Sequence, residues 1–129
     1  MSLTVSSTLL EQAQADTMNQ SDFLVCIKDS LPYAWHLFEE LAARLNQSDV
    51  SFVDNQVPPP NEQARGQLLR VLASDAMRGA VENHFGVKVA FQNCHRVALF
   101  RKDRLDHTYQ EFISPRSQIL NQKPELVDC

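Results

Sequence analysis

The stretch that decides the fold is Val87-Lys88-Val89-Ala90-Phe91-Gln92-Asn93-Cys94-His95-Arg96-Val97-Ala98-Leu99-Phe100-Arg101. Val87, Val89 and Phe91 alternate with Lys88, Ala90 and Gln92, a period of two that belongs to a strand with one face buried. After the polar Asn93-Cys94-His95 the β-favouring run Arg96 to Phe100 begins, so the segment reads as a β-hairpin. Immediately before it, Gly86 stands in the position where a left-handed residue closes a helix.

Upstream of Gly86 the period changes to that of a helix. Asn61 and Glu62 open a segment that is expected to run unbroken to Phe85, with Leu68, Leu69, Leu72, Ala73, Ala76, Met77, Ala80 and Val81 on its apolar face. Gly79 lies among them, so a close neighbour such as Trp35 is expected to need its space. Before this helix, Ser48 to Pro60 carries turn-forming Asp49, Asp54 and Asn55 and ends in Pro58-Pro59-Pro60. That composition predicts an ordered, extended connector whose Val50, Phe52 and Val53 pack back on the body.

A second helix is expected from Pro32, at a first turn where a missing N–H costs nothing, to about Asn46, with Ser30 as its cap. Tyr33, Ala34, Trp35, Leu37, Phe38, Leu41, Ala42 and Leu45 give it an apolar arc of about 200°, wider than one neighbour requires, so part of it should meet a second element or another chain. Ser21 and Asp22 read as the cap of a buried turn or two over Phe23 to Ile27, and Ser7 to Ala15 as a short first helix. Downstream, Thr108 to Ile113 alternates and predicts a third strand, and Ser114-Pro115 caps a final short helix to Leu120. The ends, 1–20 and 122–129, are expected to be poorly ordered.

A chain of 129 residues, 43% hydrophobic and 22% charged, is one ordinary globular domain. The reading is α+β: helices packed on one face of a small antiparallel sheet of two or three strands, the other face being left for the terminal segments or for a partner. No apolar run approaches the roughly 20 residues of a membrane span, and Met1 to Gln12 lacks the form of a secretory signal. Cys26, Cys94 and Cys129 form no CxxC pair, which argues against a disulfide framework or a zinc knuckle and fits a reducing cytoplasm. Cys129 is also misplaced for prenylation. Residues 1–63 set nine acids against Lys28 and Arg44, a balance of −7, and the remainder carries +3. Such asymmetry is satisfied either inside the fold or by a charged partner.

The turn Gln92 to Arg96 concentrates a thiol, an imidazole and a guanidinium, so Cys94 and His95 are the candidates for chemistry, Cys94 as a reactive thiol. No metal site is expected, because His84, Cys94, His95 and His107 lack paired ligand spacing. His84 is expected to hydrogen-bond a strand end. Glycine-rich phosphate loops and the common hydrolase motifs are absent, so no cofactor is expected. Lys88, Arg96, Arg101, Lys102 and Arg104 near Phe91, Phe100 and Tyr109 make a weak single-strand-binding pattern in an acidic chain, and nucleic acid is not the expected partner.

Asp22-Phe23-Leu24-Val25-Cys26-Ile27 to Trp35, Gln63-Ala64-Arg65-Gly66-Gln67-Leu68-Leu69 and Phe85-Gly86-Val87-Lys88-Val89-Ala90-Phe91 together resemble small conserved cyanobacterial proteins of uncharacterised function. That resemblance implies a cytoplasmic accessory protein and no particular activity. The function expected from the sequence is a non-enzymatic protein-interaction domain, an assembly or regulatory factor, with a protein partner or a second copy meeting Trp35, His84 and Arg96. The alternative is a small-ligand-binding protein or thiol/histidine enzyme with its site at the 92–96 turn under the 48–60 loop.

Overall fold

The computed structural model describes residues 3–121. The expected poorly ordered end at 122–129 lies outside them. The hairpin forms as read: β2 (Val87–Gln92) and β3 (Arg96–Arg101) pair antiparallel from Val87 opposite Arg101 to Gln92 opposite Arg96. Asn93 turns the chain with φ of 54°, a left-handed conformation that asparagine tolerates.

The third strand is not where alternation placed it. It is β1 (Phe52–Asp54), within the expected connector, and it pairs antiparallel with β3, giving the order β1-β3-β2. Asn55 prolongs the ladder by imitating main chain. Its N–H donates to the Val97 carbonyl, its side-chain oxygen accepts from the Val97 N–H, and its amide donates to the His95 carbonyl at 2.7 Å. Thr108 to Ile113 instead contributes to the helix α6 (His107–Phe112), because Asp106 accepts the Thr108 N–H and caps it. Six residues of alternation cannot outvote a good cap.

The long helix expected over 61–85 is two helices, α4 (Glu62–Leu72) and α5 (Asp75–Phe85), the second capped by Ser74 through the Met77 N–H. The interruption changes the phase of the apolar pattern. Leu68, Leu72, Met77, Ala80 and Val81 enter the core, whereas Leu69, Ala73 and Ala76 face solvent. Space is not what Gly79 provides, since a Cβ there would meet no other atom within 4 Å. Gly86 does close α5 in the left-handed region, with φ of 67°.

Three helices precede β1: α1 (Ser7–Gln14), α2 (Gln20–Ser30) and α3 (Pro32–Asn46). Asn19, not Ser21 or Asp22, caps α2. Ser30 is the last residue of α2 and accepts the Thr4 N–H, so it does not cap α3. That role falls to a distant side chain. Buried Gln67, on α4, accepts the Tyr33 N–H at 2.7 Å and the Ala34 N–H at 3.2 Å.

The fold is α+β, with a three-stranded antiparallel sheet covered on both faces rather than one. Val87, Val89, Val97 and Leu99 face the main core built from α2, α3, α4 and α5. On the opposite face Ala90, Ala98 and Phe100 pack with Phe112 of α6, Phe52 and Tyr109. The terminal segment, completed by α7 (Pro115–Leu120), therefore supplies the second cover. Phe52 stacks on Phe100 with ring centroids 4.8 Å apart, and Tyr109 and Phe112 meet the Phe100 ring edge-on.

Two measurements test this account. Gln67→Leu strands two amide donors at the start of α3, and chemical denaturation should show a loss of about 2 kcal/mol with an unchanged slope. The Thr108 N–H bond holds the Asp106 carboxyl below its ordinary range. Its contribution to α6 is therefore present above the usual aspartate pKa and lost as pH falls through the lower folded value. In an NMR titration the Thr108 amide should move with a midpoint below that of an aspartate in an unfolded peptide.

Candidate functional site

The polar groups of the 92–96 turn are held at the open end of the sheet's second face. Gln92 and Arg96 are opposite one another on β2 and β3, and Asp54 lies on the same face of β1. The Arg96 guanidinium donates to the Asp54 carboxylate through Nε at 2.8 Å and Nη2 at 2.7 Å, and through Nη1 to Gln92 Oε1 at 3.1 Å. Its plane lies over the Phe112 ring, 4.8 Å from the centroid. Gln92, itself buried, donates to the Phe112 carbonyl at 2.6 Å and to Ser117 Oγ at 2.8 Å. Asn93 is joined to Gln118 and to the Asn121 carbonyl. This row ties three strands to α6 and α7, and it uses the Arg96 fork on all sides.

His95 and Arg96 do come together under the connector, where with Asp54, Asn55, Pro58 and Asn121 they line a cavity of about 420 Å³. Cys94 is not among its lining residues. It is buried and disulfide-bonded, against the expectation from cysteine spacing, while Cys26 is a buried free thiol. Spacing along a chain carries no information on which sulfurs meet in space. Nucleophilic attack needs a thiolate, which a disulfide-bonded sulfur offers only after reduction.

His84 and Trp35 form a separate group. The two rings lie 5.4 Å apart, and Phe85 contacts both. Trp35 is only 5% exposed, so it belongs to the core; its indole Nε1 is buried without a hydrogen-bond partner among the described residues. The outward-facing amide of β2, at Val89, is met by Glu82 Oε2 at 2.9 Å rather than by His84. Among the described residues no three His, Cys, Asp or Glu side chains are grouped to hold a metal ion.

The basic residues of the second half are mostly engaged. Arg101 donates to the carbonyls of Leu45, Ser48 and Val50, and Arg104 to the carbonyl and carboxylate of Asp49. Together with Arg96–Asp54 these contacts settle part of the charge asymmetry inside the fold. Phe100 is fully buried, so it offers no stacking platform.

The apolar arc of α3, expected to meet a second element or another chain, borders two concave surfaces. Tyr33, Leu37 and Leu41 face Val57, Pro58 and Pro60 across a groove of about 540 Å³. Burial, then the nearby Glu40 carboxylate, raises the Tyr33 pKa above its ordinary value and keeps the phenol neutral. A second trough of about 550 Å³ runs between the end of α3 and β1, lined by Gln47, Val50, Phe52 and Val53. Arg44 and Gln56 border both. The wide apolar arc of α3 signalled this surface, but only the docked connector turns it into a groove.

Replacing Arg96 tests the structural assignment of the polar row. Arg96→Met should lower stability by about 2 kcal/mol in denaturant unfolding. Arg96→Lys should recover little of it, because an ammonium cannot reach Asp54 and Gln92 in the same plane.

A family model described as NucS shadow ORF matches residues 1–129, the whole chain. No curated protein and no solved structure matches it. The description is of an open reading frame and names no activity, ligand or partner.

Proposed function

We propose the following for this chain, which belongs to the NucS shadow ORF family: it is a non-enzymatic protein-interaction domain, an accessory factor in assembly or regulation. One observation carries the reading. Arg96, Asp54 and Gln92 are committed to holding the fold together, while the concave surface along α3 leaves Tyr33, Leu37, Val53 and Val57 partly open beside polar Glu40 and Arg44. An enzyme or small-ligand site needs polar groups converging in one enclosed place. Polar groups do gather beneath the connector, but there Asp54, Asn55 and Arg96 spend their hydrogen bonds on the strands, and Trp35 and His84 are not part of that cavity.

Apolar residues in a groove, bordered by Glu40 and Arg44, suit a protein surface instead. Val57 stands 75% exposed at its rim, within reach of anything bound in the groove. The disulfide at Cys94 removes the cysteine argument for a reducing cytoplasm.

The experiment has two stages. Peptide mass spectrometry of native extract should detect the chain itself; its absence under all growth conditions tested removes the proposal. Wild-type protein and Val57→Asp are then immobilised in parallel and their retained proteins quantified. The substitution is at an exposed site, where the effect on stability is usually within about 0.5 kcal/mol. A defined protein should be retained saturably by the wild type and depleted severalfold by Val57→Asp. No such protein, together with a monomeric mass in light scattering, would overturn the reading.

A further inference from the structure

The two edges of the sheet are finished differently. Hydrogen bonds from the Arg101 N–H to the Ser51 carbonyl and from the Asn55 N–H to the Val97 carbonyl fix which groups of β1 face β3. Residues 51, 53 and 55 point their main chain inward, so Phe52 and Asp54 point theirs away from the sheet. On β2 the outward residues are Val87, Val89 and Phe91; the Val89 N–H is taken by Glu82, and Lys88 pairs with the same carboxylate at 3.5 Å. A carboxylate thus guards the middle of that edge. On β1 the cover is a single long bond of 3.2 Å from Arg44 Nη1 to the Asp54 carbonyl.

Arg44 is itself unusual. It is half-buried, and no carboxylate among the described residues lies within ion-pair distance, not even Glu40 one turn earlier. Arg65, Arg78, Arg96, Arg104 and Arg116 each meet a carboxylate and Arg101 gives several bonds to carbonyls, whereas Arg70, also half-buried, shares with Arg44 the lack of an ion pair among the described residues. A guanidinium with one carbonyl contact stands where the trough along β1 meets the groove along α3.

We propose that the β1 edge and the adjoining trough receive an extended peptide segment of a partner protein, added to the sheet as a fourth strand, with a carboxylate side chain on Arg44. The proposal rests on the interaction reading and names its partner class. In this arrangement the incoming strand takes the outward N–H and C=O groups of Phe52 and the N–H of Asp54. Arg44 leaves the Asp54 carbonyl for the carboxylate, freeing that acceptor as well. An unpaired edge supplies main-chain affinity, and alternate side chains supply specificity. The carboxylate lies on the α3 side of the added strand, and apolar residues two positions on reach Leu37 and Val57. From Tyr33 to Arg44 α3 rises about 16 Å, the length of about five extended residues.

A displayed library of random short peptides selected on the full chain supplies the probe. Selected sequences should share one acidic residue with apolar residues two positions from it. The best synthetic peptide is then N-methylated at each amide in turn, and affinity should fall at every second position, the signature of ladder pairing. Arg44→Gln should weaken that peptide about tenfold and should not weaken its acid-to-amide variant further. Hydrogen exchange of unliganded Arg44→Gln verifies that the fold is retained; on the wild type, peptide should protect Phe52 and Asp54. No selected peptide, N-methyl losses without period two, or equal effects of Arg44→Gln on both peptides would overturn the proposal. If Val57-dependent capture of a protein persists beside any of these results, the strand-addition proposal falls and the interaction reading stands.

Discussion

Arg96 is the contact on which the second half of the structure depends. Its fork joins Asp54, 42 positions earlier, to Gln92 across the hairpin, and its flat face covers Phe112. Without a planar group carrying several donors, Asn55 would be left as the connector's polar tie to the hairpin at this end of the sheet, and the terminal helices would lose the surface on which Phe112 rests. Asn55 then works on the adjacent residues of the same strands, supplying side-chain bonds where the ladder runs out. Arg101 and Arg104 hold the connector at its other end by its carbonyls. The acidic and basic halves of the sequence thus meet along this segment, although main-chain oxygens take more of the arginine donors than carboxylates do.

How much of this was legible varies with how local the cause is. The hairpin, α3, α7, the left-handed Gly86 and the helix start at Asn61 and Glu62 were readable because each is decided by residues a few positions apart. The division of 62–85 was missed although its signal was present. Ser74-Asp75 is a good cap, but continuous apolar periodicity through Leu72, Ala73, Ala76 and Met77 concealed the change of phase. Likewise Asp106 before His107 marked a helix start inside a run that alternates like a strand. Two features had no local signal at all. Gln67 caps a helix 34 positions away, and Phe52–Asp54 is a strand only because β3 lies beside it.

The same distinction governs the candidate site. Cys94, His95, Arg96, His84 and Trp35 drew attention by residue type, and the structure assigns Trp35 to the core and Arg96 to the strand junction. Arg44 drew none, since its character comes from a sheet edge formed by tertiary pairing. Agreement across levels also bears on a family described as a reading frame. Ser6, Asn19, Asn61, Ser74, Asp106 and Ser114 each accept a main-chain N–H at the start of a helix, while the apolar residues fill two adjoining cores. Such mutual support is what lets a sequence specify one fold.

The strand order β1-β3-β2 has a consequence during synthesis. The hairpin closes through three residues and needs nothing distant, whereas β1 leaves the ribosome well before β3, the strand it pairs with. Until β3 emerges, Phe52 and Val53 belong to a segment with neither ladder nor cover, and the α3 helix beside them lacks the Arg101 contacts at its last turn. Folding is therefore ordered by the chain's own geometry: local helices first, the hairpin next, then a late closure in which the nascent connector is captured and the terminal helices seal the far face.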